Sequence, residues 1–442
     1  MLLVDVTAVE DNFMINRRSF FHGLTALGAL PFVKFPGRYA TPDSQSAQTW
    51  PKDSDPNYWR WIRQQFLIPA DEAYFNTGTL GARPRQVHDA VVNHMREIEQ
   101  TLAHFDYKPG HPEYFAGYLP QVELRKKAGS IINANEREIA LTQNATMGIS
   151  FIAAGLDLKP GDEVLLTDQE HPSGKGGWDL RAKRQGIVVK KLPIPIPTPN
   201  PDVVVKTFAE AITSRTRVIA VPHIASKYGI VLPVKQLCEL GRKQGIFTFI
   251  DGAQAVGQLH VDVKDIGCDA YATSPHKWLL APPGNGLLYI REERENDVWP
   301  SIASTQWDNH TPADGVFKFM ANGTGNLSLL AGLDAALDFH IKIGSKRIEK
   351  HDISLADRLR EGLREIKGAK IYSSVHPAMA GAIVTHGIEG VTGAQLQDAL
   401  WEKKKIRVRS QGDEGVRQSV HIYNSPEEID ATLEVVKSLA KK

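Results

Sequence analysis

The sequence predicts an α/β protein with a mostly parallel seven-stranded sheet between helices in a large domain, followed by a smaller C-terminal α+β domain. Three observations carry this. From Pro69 onward, short β-type runs alternate with longer helical patterns, the rhythm of a parallel sheet covered on both faces. Runs such as VIAV and FTFI are apolar at successive positions, as strands buried on both faces must be. After NGTGNLSLLAGLDAALDFHIKIG the character changes to a helical stretch through Leu363, with shorter strand signals at AIVTHG and KIRVRS.

The expected strands are Ile139 to Thr142, Glu163 to Thr167, Ile187 to Leu192, Val218 to His223, Phe247 to Asp251, Ala270 to Thr273 and Gly286 to Ile290. Helical segments such as Thr146 to Ala154 and Val234 to Gln244 lie between them, bounded by Gly or Pro. KKLPIPIPTPNP reads as a Pro-rich connector, and no internal repeat is visible. The expected division is an export signal and linker over 1–45, a segment packing with the small domain over 46–75, a large domain over 76–325 and a small domain over 326–442.

Lys plus Arg number 52 against 51 Asp plus Glu, so no basic excess points to nucleic acid and small molecules are the expected partners. The two cysteines, Cys238 and Cys268, sit in apolar patterns and read as buried structural thiols, which leaves no disulfide framework and no metal site to expect. The stretch MINRRSFFHGLTALGALPFVKFPGRYA resembles a twin-arginine export signal, with Arg17 and Arg18 ahead of a weakly apolar run from Gly23 to Val33 and Met14 as a plausible start. That run is far short of the roughly 20 residues a membrane span needs. It lacks a clear small-x-small cleavage site, Tyr39-Ala40 being the nearest. The expected location is periplasmic or secreted, and otherwise cytoplasmic.

In open parallel sheets, ligands collect beyond the carboxyl ends of the strands. Four such places hold polar residues. Asn144, Ala145 and Thr146 follow the first strand at a helix start, where free N–H groups and a hydroxyl suit an anion, although an ordinary N-cap has the same pattern. His171 follows the second strand in DQEHPS. Asp251 closes FTFID, with Gln254 three residues on in DGAQAVG. Ser274, His276 and Lys277 follow Ala270 to Thr273 in TSPHKW.

A lysine beside an anion site, with an acid on another strand end and an imidazole on a third, is the set that pyridoxal 5′-phosphate requires. Lys277 forms the Schiff base with its aldehyde, favoured by a desolvated pocket and nearby positive groups. Asp251 keeps the pyridine nitrogen protonated, and the ring then takes up charge from Cα. Gln254 donates to the ring oxygen, His171 stacks on the ring face, and Ser274, His276 and Thr146 hold the phosphate.

The spaced set DGAQAVG, TSPHKW, NAT, EHPS and HIASKYGIVLPV resembles class V aminotransferases, among the fold-type I pyridoxal-phosphate enzymes, over roughly Tyr74 to Lys441. Within that class it is most similar to the isopenicillin N epimerase-like branch, whose N-terminal substrate loop FNTGTLGARPR resembles and whose C-terminal signature SVHIYNSPEEID resembles. Ser226 stands where cysteine desulfurases commonly have Asn, and no Cys follows Cys268 to act as a mobile nucleophile, so persulfide chemistry is not expected. The resemblance implies that Arg409 grips the substrate α-carboxylate, with Arg417 as the alternative. It also implies that Thr324 reaches the partner subunit's phosphate in a homodimer with shared active sites, and that Asn76 and Thr77 line the substrate pocket.

The implied function is an enzyme acting at Cα of an amino acid. Epimerisation, transamination and elimination by a C–S lyase all begin by loosening the Cα proton, and His171 and Tyr228 are both open as a second acid for epimerisation. A cofactor-binding regulator of this fold usually carries an attached DNA-binding module, where this chain shows an apparent export signal and near-neutral charge instead, and a relic would be expected to have lost Lys277 or Asp251. Side-chain specificity is expected in loops such as Thr101 to Tyr118.

Overall fold

The computed structural model describes residues 50–104, 120–303, 307–308 and 315–440; the export signature and most of the 101–118 stretch lie outside them. All seven expected runs form strands: β1 Ile139–Thr142, β2 Glu163–Thr167, β3 Val188–Leu192, β4 Thr216–Pro222, β5 Phe247–Asp251, β6 Ala270–Thr273 and β7 Gly286–Ile290. They join one sheet in the order β1-β7-β6-β5-β4-β2-β3. Every pairing is parallel except those of β7, which runs antiparallel to both β1 and β6.

Successive side chains of a strand point to opposite faces. Ile219, Val221 and Ile250 accordingly enter one apolar core, while Val218, Ala220 and Phe249 enter another on the opposite face. Each such fully buried side chain contributes about 1.5–3 kcal/mol relative to exposure, and this two-sided burial makes VIAV and FTFI continuous rather than alternating. The edge strand β3 is half exposed, which is why its sequence, VVKKL, carries lysines.

Helices leave the carboxyl ends of the strands through capped starts. Asn144 Oδ1 accepts from Met147 N at 2.9 Å to open Ala145–Gly155 after β1. His171 Nδ1 accepts from Ser173 N at 3.2 Å to open Pro172–Gln185 after β2. Such caps are each worth about 1 kcal/mol, and they also fix where these strand-end side chains point.

The C-terminal region forms an antiparallel sheet of β8 Ala369–Ile371, β9 Ile383–Ile388, β10 Arg409–Ser410 and β11 Val416–Ser419, in the order β8-β9-β11-β10. Its core joins Leu359, Val384, Leu396, Val416 and Ile429 with Ala73 and Phe75 from the N-terminal side. Ala73–Tyr74 also pairs in parallel with Ile406–Arg407.

Three features differ from the sequence reading. The helical stretch to Leu363 is two helices, Leu327–Ile343 and Ser345–Arg364, broken at Gly344, whose φ of +91° no helix accommodates. KIRVRS is not one strand: its first half pairs beside Ala73–Tyr74 and its second half joins β11. β11 itself carries no apolar run, because Arg417, Gln418 and Ser419 are buried polar residues. No described helix is long and apolar enough to cross a membrane.

Candidate active site

A cavity of about 530 Å³ opens beyond the carboxyl ends of β1, β2, β4, β5 and β6, and β10 and β11 bring Arg409 and Arg417 to it from the small domain. Lys277 lies on its wall. The chain turns after β6 with Lys277 N donating to Ser274 O at 3.1 Å, and Gly81 N donates to His276 O at 2.8 Å. A Cβ on Gly81 would stand 1.9 Å from Lys277 O, so only glycine lets the FNTGTLGARPR loop lie against the lysine.

Behind the lysine, Trp278 Nε1 donates to Gln254 Oε1 at 2.9 Å and Gln254 Nε2 donates to Gly78 O at 2.8 Å. The fully buried His421 bridges Trp278 O, 3.0 Å from Nε2, and Asp352 Oδ2, 2.6 Å from Nδ1. These contacts hold the Lys277 segment from both domains. Burial pushes the Lys277 ammonium down to about 8; Asp251 opposes this, while Arg417 and Arg409 add to it.

At one end of the cavity Asn144, Ala145, Thr146, Ser274 and His276 come together. Ala145 N donates to Ser274 Oγ at 3.0 Å and Met147 N to Asn144 Oδ1, with Thr146 between them on the cavity wall. His276 Nδ1 is buried without a partner. Burial, then Lys277, pushes this imidazole down to about 4, so it is neutral at pH 7. A helix N-terminus, a hydroxyl and an unpaired imidazole nitrogen together suit an anion such as a phosphate.

At another end stand Asp251, Glu170 and His171. Asp251 Oδ1 accepts from Ala253 N at 3.0 Å, and burial raises its pKa against the opposing pull of that bond, Lys277 and His171. Glu170 Oε1 accepts from Thr167 N at 3.1 Å and Thr167 Oγ1 at 2.8 Å. Burial pushes Glu170 up to about 8, the Thr167 bonds oppose this, and the charges of Asp251 and Asp168 add to it. A Cβ on Gly174 would meet Glu170 Oε2 at 3.2 Å and Asp251 Oδ2 at 3.4 Å, so the two carboxyls converge over this glycine. Burial, then Lys277, lowers the His171 imidazole from its ordinary value, and its Nδ1 is committed to the helix cap.

The rim is cationic. Arg417, 2% exposed, donates from Nη1 to Ser226 O at 2.9 Å and from Nη2 to Asn76 Oδ1 at 3.2 Å and Thr79 Oγ1 at 2.8 Å. Burial, then Arg409, pushes its guanidinium down to about 10. Arg409 faces Arg417 across the β10–β11 pair, exposed at the mouth, and donates to the same Thr79 hydroxyl at 3.3 Å.

Not every expected residue reaches the cavity. Asn76 supports Arg417, and Thr77 is buried against Tyr423 and Ser419 O; Gly78 and Thr79 form the wall instead. Thr324 lines a separate depression with Gln143 and Met147. Glu170 is the site residue the sequence reading passed over, although it too follows a strand end. Glu414 was passed over as well. It accepts from Tyr228 OH at 2.8 Å and pairs with Lys227 at 2.6 Å beside the cavity. Cys238 and Cys268 are buried away from the cavity, and burial raises both thiols, Cys238 to about 12.

Comparison with known proteins gives a consistent result. The family model for Aminotransferase class-V matches residues 117–432. Isopenicillin N epimerase of Amycolatopsis lactamdurans is 30% identical over 87% of this chain and 99% of its own length. A probable cysteine desulfurase of Pyrococcus abyssi is 31% identical over 86% of this chain and 97% of its own. The solved cysteine desulfurase of Thermococcus onnurineus NA1, in its apo form, superposes with a TM-score of 0.75 at 25% identity, covering 86% of this chain and 98% of that one.

Proposed function

Since the chain belongs to the class V aminotransferase family, we propose that it is a pyridoxal 5′-phosphate enzyme in which Lys277 holds the cofactor and moves the Cα proton of an amino acid. The observation that carries this reading is the Lys277 amine, brought to about 8 in a cavity with a carboxylate on one side and an anion cradle on another. Bound there, the cofactor supplies an aldehyde for an amine and a ring that draws electrons from Cα.

The chain's own residues have distinct tasks. Thr146, Ala145, Ser274 and His276 bind the phosphate, which supplies the missing partner for His276 Nδ1. Asp251 would accept a hydrogen bond from the protonated ring nitrogen, and that cation would favour the ionised carboxylate. His171 would cover the ring face, and Gln254, fixed by Trp278 and Gly78, would border the ring oxygen. Arg417, more deeply held than Arg409, grips the α-carboxylate. Lys277 Nζ would be the base that takes the Cα proton and carries it.

Delivery of a proton to the opposite face of Cα, which needs a second acid such as His171 or Tyr228, would give epimerisation, the reaction the epimerase relatives are named for; delivery away from Cα would lead toward amino transfer. Elimination of a side-chain leaving group shares the first step, and the likeness to cysteine desulfurases favours it as the second reading. A persulfide carried on the enzyme is disfavoured by the burial of both thiols. Thr324, exposed beside the back of the anion cradle, supports a homodimer in which it reaches the partner subunit's phosphate. The Arg17-Arg18 pattern supports export by the twin-arginine route.

Incubation with amino acids in deuterated water tests the chemistry. Deuterium at Cα of intact amino acid with mixed chirality supports epimerisation; release of a 2-oxo acid and ammonia supports the lyase. Absence of Cα exchange and of the bound cofactor's visible absorbance would remove the proposal.

A further inference from the structure

We propose that the substrate carries a second anionic group on its side chain, held by Arg409 while Arg417 holds the α-carboxylate. This rests on the Lys277 reading above and names the substrate class for that site.

Arg409 and Arg417 are direct cross-strand partners, and like charges in that position repel. Both donate to one neutral oxygen, Thr79 Oγ1, at 3.3 and 2.8 Å. The other described acceptors of Arg417 are the Ser226 carbonyl and the Asn76 amide oxygen, again without charge. Arg417 Nε is buried without a partner. The carboxylate nearest in sequence, Glu414, is taken by Lys227 at 2.6 Å and by the Tyr228 hydroxyl. Of the other carboxyls lining the cavity, Asp251 and Glu170 stand together over Gly174, and Asp168 accepts from Ile194 N at 3.1 Å and Gln169 Nε2 at 2.9 Å. Two guanidiniums side by side repel, and Arg417, buried among neutral partners, lacks a counter-charge that an anion would supply.

The cofactor and the α-carboxylate do not complete both. The phosphate would lie with His276 and the helix N-terminus, and Lys277 would be committed to the aldehyde. One carboxylate on Arg417 then leaves Arg409 at the cavity mouth, where the side chain of an amino acid held at Cα extends. A carboxylate or sulfinate one or two carbons beyond Cα matches its planar fork.

The test titrates holoenzyme, by the change in its cofactor absorbance, with aspartate against asparagine and glutamate against glutamine. Wild-type protein is expected to bind at least one acid about tenfold or more tightly than its amide, the difference a charge-assisted bond makes. Arg409→Gln removes the charge, and position 409 lies at the exposed mouth. It is expected to erase that preference while leaving the amides within about twofold of wild type. Two results overturn the proposal: neither acid binding more tightly than its amide, or Arg409→Gln weakening acids and amides alike, as when both arginines grip one carboxylate. An absent cofactor absorbance in wild-type protein would instead mark failure of the Lys277 reading. As a check independent of the cofactor, succinate should raise the melting temperature of wild-type protein more than propionate does, and equally little in Arg409→Gln.

Discussion

Strand β2 is flanked by a carboxyl near each end, and the two are treated in opposite ways. Glu163, at the amino end, is fully buried but accepts from Lys190 at 2.7 Å, Thr213 at 2.7 Å and Arg215 at 2.9 Å. Burial alone would raise its pKa; these bonds outweigh it and hold the group at about 2. Glu170, three residues past the carboxyl end, has only Thr167 as a described donor and sits at about 8. One end of the sheet has its charges matched from within the chain, and the other leaves Glu170, Asp251, Lys277, His276 and Arg417 incompletely matched around a cavity. Incomplete matching is a cost that a bound partner removes, which is why the carboxyl end reads as the functional one.

Substitutions at the two ends should therefore separate activity from stability. The largest effect is expected from Lys277→Ala: Cα exchange in deuterated water should fall by about 10³-fold or more, with an unchanged circular dichroism spectrum. Retained exchange would contradict the assignment of the proton carrier. Asp251→Asn comes next, with turnover down by about 10²-fold and melting temperature held or raised, because an unpaired buried carboxyl is replaced by a neutral amide. A fall in stability with turnover intact would invert the comparison.

At the amino end, Glu163→Gln should cost about 1–3 kcal/mol in urea unfolding with activity per folded molecule unchanged. Its contribution has the sign of a depressed carboxylate: present above the ordinary value of 4.5 and lost as pH falls through about 2. Glu170 has the reverse sign. Its raised pKa means stability that is full below 4.5 and lost as pH rises through about 8. Glu170→Gln should flatten the decline of melting temperature over that interval, and an unaltered profile would show that Glu170 is not held protonated. The smallest effect concerns rate alone. Uptake of pyridoxal phosphate by apoprotein should quicken as pH rises toward about 8 and level off above it, following the free amine of Lys277.

The large domain was legible because its signals are local. Each strand of the parallel sheet is a run of four to seven residues, and the strand-end motifs NAT, DGAQAVG and TSPHKW carry their chemistry within a few positions of a run's end. The small-domain rim was less so. β11 buries Arg417, Gln418 and Ser419 and shows no apolar periodicity, and KIRVRS serves two sheets at once. Contacts such as Arg417 with Thr79, 338 positions apart, have no trace in local pattern. Hence Arg409 and Arg417 were both in view from the sequence, but their burial and their shared hydroxyl were not. The buried chain from Asp352 through His421 to Trp278 O was hidden for the same reason.

The central claim is that Lys277, among the lysines of this chain, holds the cofactor. Borohydride reduction of the purified holoprotein, followed by proteolysis and mass spectrometry, tests it most directly. The account predicts a phosphopyridoxyl group on the peptide containing Lys277, and none in Lys277→Ala. Labelling of another lysine, such as Lys227 at the same cavity, or no labelling of wild-type protein, would contradict it.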